Sequence, residues 1–228
     1  MRLAQILFSQ GFGTRRVCAG MVDAGLVRIH GEVVRDPAAD IATEGLVLQV
    51  NGADWPYFEK ALVLLNKPAG YECSQKPRHH PSVMSLLPPP LRDRDVQPVG
   101  RLDEDTTGLL LFTDDGKLIH RLSSPKHHVA KVYQVTARHP VSDAQIAELC
   151  RGVVLEDDVR PVAALGARRT GELTLDLTLS EGKYHQVKRM MAAVGNRCEK
   201  LHRSQFGRLS VPPDLPLGRW CWVLPADI

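Results

Sequence analysis

Apolar positions recur at helical spacing from the start of the chain. Leu3, Ile6 and Leu7 share one face over residues 2–10, and Gly11-Phe12-Gly13 ends that helix. Thr14 is placed to N-cap a second helix over residues 15–24, with Val17, Met21 and Val22 on its apolar face and Gly25 as its stop. The period then changes. Leu26–His30 reads as a strand, Gly31-Glu32 as a tight turn, Val33-Val34 as the return strand, and Leu46–Val50 as a further strand. Asn51–Pro56 is polar and carries Gly and Pro, so a linker is expected there.

Farther on, the apolar runs become continuous. Leu62–Leu65, ending at Asn66-Lys67-Pro68, and Leu109–Phe112 have the pattern of strands buried on both faces. Between them, residues 75–98 are rich in proline and charge and read as a long surface excursion with one short helix near 82–87. Asp114-Asp115-Gly116 turns the chain into a helix over 117–123, before Pro125. Val132 and Val135 mark a strand, 142–151 a helix, and 172–179 an alternating strand with Leu173, Leu175, Leu177 and Leu179 inward. A helix over 184–194 ends at Gly195, and short strands finish the chain; no internal repeat or low-complexity tract interrupts it. The expected class is α+β: a small N-terminal α+β domain over 1–53, a linker over 54–60, and a larger domain over 61–228.

Composition adds little until its distribution is considered. Of 228 residues, 43% are hydrophobic and 24% charged, as in ordinary globular proteins, and the net charge of +3 does not by itself name a polyanion partner. Residues 182–208, however, hold Lys183, Lys188, Arg189, Arg197, Lys200, Arg203 and Arg208 against the single acid Glu199, with His185 and His202 among them. Such a run is an electrostatic footprint for phosphate. Five scattered cysteines without a Cys-x-x-Cys pair read as reduced, and no run approaches the ~20 apolar residues that span a bilayer. No membrane contact and a cytoplasmic location are expected. Adjacent pairs His79-His80 and His127-His128 lack partners at ligand spacing, so no metal site is expected.

The most informative string is Gly100-Arg101-Leu102-Asp103-Glu104-Asp105-Thr106-Thr107-Gly108-Leu109-Leu110-Leu111. It mounts three carboxylates directly before a strand that must be buried, the kind of rigid support a reactive group requires. Taken alone, an acidic loop before a strand is more often a solvated turn or a cation site, and this string by itself does not decide the matter. As a whole, the string resembles the signature of pseudouridine synthases. Three further segments are similar to the RsuA-type branch, which modifies small-subunit ribosomal RNA: Leu65–Tyr71; Ser124–His128 with Lys131-Val132-Tyr133; and Glu181–Met190. Residues 1–50, two helices and a hairpin with Arg15, Arg16, Arg28 and Arg35, resemble an S4 RNA-binding domain, although 1–60 carry six Lys/Arg against seven Asp/Glu and also fit a plain α+β module.

The resemblance implies a pseudouridine-synthase catalytic domain with a mixed, largely antiparallel core sheet flanked by helices. It also implies an isomerisation that adds and removes no atoms and needs no cofactor. Asp103 matches the essential aspartate, Tyr133 the active-site tyrosine, and Lys188 the cation that keeps the carboxylate ionised, where many relatives have arginine. Val187 and Gln186 are then expected against the base, with Arg101 holding a flipped nucleotide. Arg15, Arg16, Arg28, Lys67, Lys126, His128, Lys183, Arg189 and Arg203 are the expected RNA contacts. The implied partner is 16S ribosomal RNA or a small-subunit precursor particle, met by a monomer. Alternatives are the same chemistry on 23S RNA, or an RNA-binding assembly factor with incidental catalysis.

Overall fold

The computed structural model describes residues 1–124, 128–155 and 160–228. They form two compact units, one of Met1–Ala61 with Leu87–Gln97, the other of Leu62–Leu86 with Pro98–Ile228.

The first unit opens with helices α1 (Leu3–Ser9) and α2 (Arg15–Asp23), followed by β1 (Val27–Ile29), β2 (Glu32–Val33), β3 (Val47–Val50) and β4 (Ala53–Pro56). Leu3, Ile6 and Leu7 are buried, and the Thr14 hydroxyl accepts from Val17 N at 3.3 Å, capping α2 as its sequence implies. Val17, however, is exposed, and Cys18 with Val22 forms the buried stripe. The four strands make an antiparallel sheet in the order β2-β1-β3-β4. Asn51–Pro56, expected to be a linker, is thus a turn and a strand. Asn51 (φ 51°) and Gly52 (φ 80°) both adopt the left-handed conformation that a two-residue hairpin turn demands, and β4 pairs along β3.

Residues 87–97, including α3 (Pro89–Asp93), belong to this unit rather than to a free excursion. The Arg94 guanidinium donates to Gln10 Oε1 (2.8 Å), Phe58 O (3.0 Å) and Glu59 O (3.0 Å). Pro90 O lies 2.0 Å from where a Cβ on Gly11 would stand, so only glycine allows that approach.

The second unit contains β5 (Leu62–Lys67), Pro98 of the two-residue β6 (Gln97–Pro98), β7 (Thr107–Thr113), α4 (Gly116–Ser123), β8 (Lys131–Ala137), α5 (Asp143–Arg151), β9 (Gly166–Arg169), β10 (Thr174–Leu179), α6 (Gln186–Ala193), β11 (Cys198–Phe206), β12 (Leu209–Ser210) and β13 (Trp220–Trp222). Seven strands run in the order β13-β5-β7-β11-β8-β10-β9. β7 and β11 are parallel and the other neighbours antiparallel, which is the mixed, largely antiparallel sheet expected.

Every residue of β5 is buried, as is β7 from Gly108 on, because helices and loops cover both faces. On one face Leu62, Leu64, Leu109 and Leu111 pack with Leu118 and Leu122 of α4 and Phe206 of β11. Each such leucine contributes about 2 kcal/mol by leaving water. In β10, Leu175, Leu177 and Leu179 point inward, but Leu173 is exposed because the strand begins one residue after it. Helices α4 and α5 are capped at their own first turns: the Asp115 carboxylate accepts from Lys117 and Leu118 N, and Ser142 with Gln145 closes a capping box on α5. Gly108 allows close passage of β11, since a Cβ there would lie 2.3 Å from Arg203 O.

Candidate active site

The turn that carries Asp103 is held from beneath. Lys67 ends β5 opposite Gly108 of β7, fully buried, and its ammonium donates to Pro68 O (3.0 Å), Asp103 O (3.1 Å), Glu104 O (3.0 Å) and Thr106 O (2.9 Å). Burial pushes its pKa down, opposed by Cys73, Glu104, Asp105 and Asp103. Lys67 was expected to contact RNA. The structure overturns that role, because the amine is enclosed and its protons are committed to main-chain carbonyls. Gly70 N donates to Glu104 O (2.9 Å), Leu102 N to the Cys73 thiol (3.4 Å) and Thr106 N to Asp103 O (3.2 Å). The Asp103 backbone is therefore fixed at several points.

Its side chain meets two residues from the start of α6. Lys188 Nζ lies 3.2 Å from Asp103 Oδ2, and His185 Nε2 lies 3.4 Å from Oδ1. Lys188 also binds both oxygens of Asp105, at 2.7 and 2.9 Å, so one ammonium bridges two carboxylates. Burial works to lower the Lys188 pKa, but the Asp105 and Asp103 carboxylates outweigh it and leave the ammonium above its ordinary value. Asp105→Asn removes one of those acids, so the Lys188 pKa is expected to fall, measured by NMR titration of the labelled ammonium. An unmoved titration would show that the Asp105 pair does not hold the lysine in solution.

His185 takes the left-handed conformation (φ 47°) just before the helix, a strained choice that histidine tolerates better than most residues. Tyr184, expected to open the helix over 184–194, instead precedes it. It is 72% exposed and stacks on the His185 ring at 3.8 Å.

Asp103 opens into a cavity whose walls include Arg101, Tyr133, Lys183, Gln186 and Val187. Five of the expected site residues thus line the cavity with Asp103, from the loop before β7, from β8, and from α6 and the loop before it. Tyr133 is 8% exposed in β8, between Leu177 of β10 and Arg203 of β11, and Val187 is 4% exposed. The Gln186 amide turns inward: its Oε1 accepts from Lys183 N at 2.9 Å and its Nε2 faces Met190 Sδ at 4.0 Å. A carboxylate paired with an ammonium, beside an aromatic ring and an aliphatic wall, suits a flat, partly polar ring attached to an electrophilic carbon.

The other expected contacts lie elsewhere. Arg15, Arg16 and Arg28 are exposed in the N-terminal unit, with Arg15 over the Phe8 ring at 5.2 Å and Arg28 donating to Gly31 O. His128 is exposed, and Lys126 lies outside the described residues. Arg189 donates to Tyr184 O at 3.2 Å.

The basic run over 182–208 does not make a single surface. Lys188 is engaged with two acids, Arg197 pairs with Glu199 at 3.2 Å, and Arg203 is 3% exposed with its Nε on Leu109 O at 2.8 Å. Strand geometry explains the scatter, since successive side chains of β11 alternate faces. His185 and Asp105 were not singled out beforehand as part of the site. The local signal for Asp105 was its position two residues from Asp103, on the same rigid turn.

Comparison with known proteins identifies the family. Residues 61–193 match the family model described as RNA pseudouridylate synthase, and residues 1–46 match that of the S4 domain. A ribosomal small subunit pseudouridine synthase A of Escherichia coli (strain K12) is 40% identical over 96% of this chain and 95% of its own length. The protein of that name from Yersinia pestis is also 40% identical, over 96% and 93%. An uncharacterized RNA pseudouridine synthase of Bacillus subtilis (strain 168) is 37% identical over the same shares. A crystal structure of a pseudouridylate synthase superposes with a TM-score of 0.70 at 33% identity, covering 100% of this chain and 97% of that one.

Proposed function

The chain belongs to the RNA pseudouridylate synthase family, and from that premise we propose that it converts a uridine of small-subunit ribosomal RNA to pseudouridine, with Asp103 acting at the ribose. The reaction breaks the bond from C1′ to N1 of uracil, turns the base and rejoins it through C5. Asp103 serves either as the nucleophile at C1′ or as the base that removes the C2′ proton. Both routes need an ionised carboxylate, and the observation that carries the proposal is Asp103 held between Lys188 and His185 on the cavity wall.

Tyr133 stacks on the uracil and assists proton exchange at C5, while Val187 closes the apolar side. Arg101, exposed at the mouth, holds the nucleotide once it has left the stack. Flipping costs a few kcal/mol, which phosphate contacts must offset. Exposed Arg15, Arg16 and Arg28 of the S4-type unit, with Lys183 beside the cavity, supply candidates for them. The small-subunit assignment is supported by the names of the relatives from Escherichia coli and Yersinia pestis. The protein then acts in the cytoplasm, as a monomer, on 16S RNA or a precursor particle; no helix among the described residues is long and apolar enough to cross a membrane.

The test is chemical mapping of pseudouridine after incubation with 16S and 23S RNA, each naked and in precursor particles. One modified uridine in 16S RNA is expected. Modification confined to 23S RNA would overturn the substrate, and none in any RNA would overturn the activity.

A further inference from the structure

Two cations beside the Asp103 cavity have no part in the chemistry above. Lys131 begins β8 and Arg203 lies within β11, the register placing Arg203 opposite Tyr133. The Lys131 ammonium is 5.5 Å and the Arg203 guanidinium 5.4 Å from the centroid of the same Phe206 ring. Two like charges therefore share one aromatic side chain. Burial lowers the Lys131 pKa and the Arg203 charge lowers it further, with Glu181 opposing.

Arg203 is 3% exposed, and although its Nε donates to Leu109 O, its buried Nη2 has no hydrogen-bond partner among the described residues. A buried guanidinium N–H left in that state is costly, and the cost is offset when an acceptor arrives. Lys131 directs its ammonium to Val129 O (2.8 Å) and Ser180 O (3.3 Å), leaving one of its three protons for another acceptor.

Both side chains line a cavity of about 270 Å³ that shares Arg101, Tyr133 and Lys183 with the Asp103 cavity. Its charged lining is Arg101, Lys131, Lys183 and Arg203 against Glu181, which itself lies 3.8 Å from Lys183. The position is set by paired strands rather than by loops, so an anion held there is placed and not merely attracted.

We infer that this cavity seats an RNA backbone phosphate, one of those flanking the nucleotide on which Asp103 acts, held by Lys131 and Arg203. The inference rests on the uridine-isomerising reading of the Asp103 site. A phosphodiester has the charge and the two free oxygens that these donors require, and it lies within one nucleotide of the ribose. Binding it fixes the register in which C1′ meets the carboxylate.

The experiment uses an RNA oligonucleotide spanning the modified uridine. Each phosphate within two nucleotides of it is replaced in turn by a neutral methylphosphonate. Affinity for unreactive Asp103→Asn protein is measured beside the conversion rate of the wild type. One position is expected to cost about 10- to 100-fold in both, the worth of a charge-assisted contact. That cost should shrink to under about twofold when Lys131→Met is introduced, and likewise with Arg203→Lys, provided each variant melts cooperatively. If no position costs more than about twofold, or if the same loss persists in every folded variant, the subsite is refuted. Failure of the unsubstituted RNA to be converted, with the affinity pattern present, would instead count against the isomerase reading alone.

Discussion

Asp103→Asn is expected to slow uridine isomerisation by about 10⁴-fold or more, equivalent to about 5.5 kcal/mol of barrier, while leaving fold and RNA affinity nearly unchanged. Asparagine keeps the shape of the side chain but has neither the charge nor the nucleophilicity that both routes at the ribose require. The fold survives for two reasons visible in the contacts. Lys67 holds the main-chain carbonyl of residue 103 and not its carboxylate, and Lys188 keeps both oxygens of Asp105 when Asp103 is neutralised. Asp105→Asn is the natural comparison. It removes the same charge from beside the same lysine, but Asp105 does not line the cavity, so its loss should stay under about tenfold. Single-turnover rates with mapped pseudouridine decide the matter. A rate for Asp103→Asn within tenfold of the wild type would take the reactive role away from this residue.

The sequence made some of this site readable and concealed the rest for identifiable reasons. Leu62–Leu65 and Leu109–Phe112 announced central strands because strands covered on both faces cannot alternate. The cap at Thr14 was a local fact, written within four residues. The Asp103 turn drew notice because carboxylates stood directly before a buried strand, but its reading as a reactive site came from the resemblance of the whole string to a family signature. What stayed hidden was set by register or long-range contact. Asn51-Gly52 is a strong hairpin signal, yet its polar setting with Pro56 suggested a linker. Arg94 meets Gln10 across 84 positions, and nothing near residue 94 foretells it. The cations of 182–208 counted as one patch along the chain, whereas β11 divides them between its faces. Lys67 misled most, because lysine after a strand is usually exposed.

Lys67→Met is for that reason the most informative stability variant. Methionine retains much of the aliphatic stem but leaves the carbonyls of Pro68, Asp103, Glu104 and Thr106 without their shared donor. A buried acceptor without a partner costs about 1–3 kcal/mol, and relaxation lets some of the four find water, so a total of about 3–5 kcal/mol is expected. For a chain of this length that corresponds to a melting temperature lower by roughly 10 °C. Lys67→Arg should not restore stability, because a planar fork cannot converge on four carbonyls as a compact ammonium does. The damage should also reach the chemistry: with the turn loosened, Asp103 spends less time in position, and the folded fraction should isomerise uridine about 10-fold or more slowly. Hydrogen exchange at Thr106 N, which closes the turn onto Asp103 O, should quicken in parallel. Were Lys67→Met to melt within about 2 °C of the wild type, the ammonium would not be the support of the reactive turn, and its place in the fold would need another explanation.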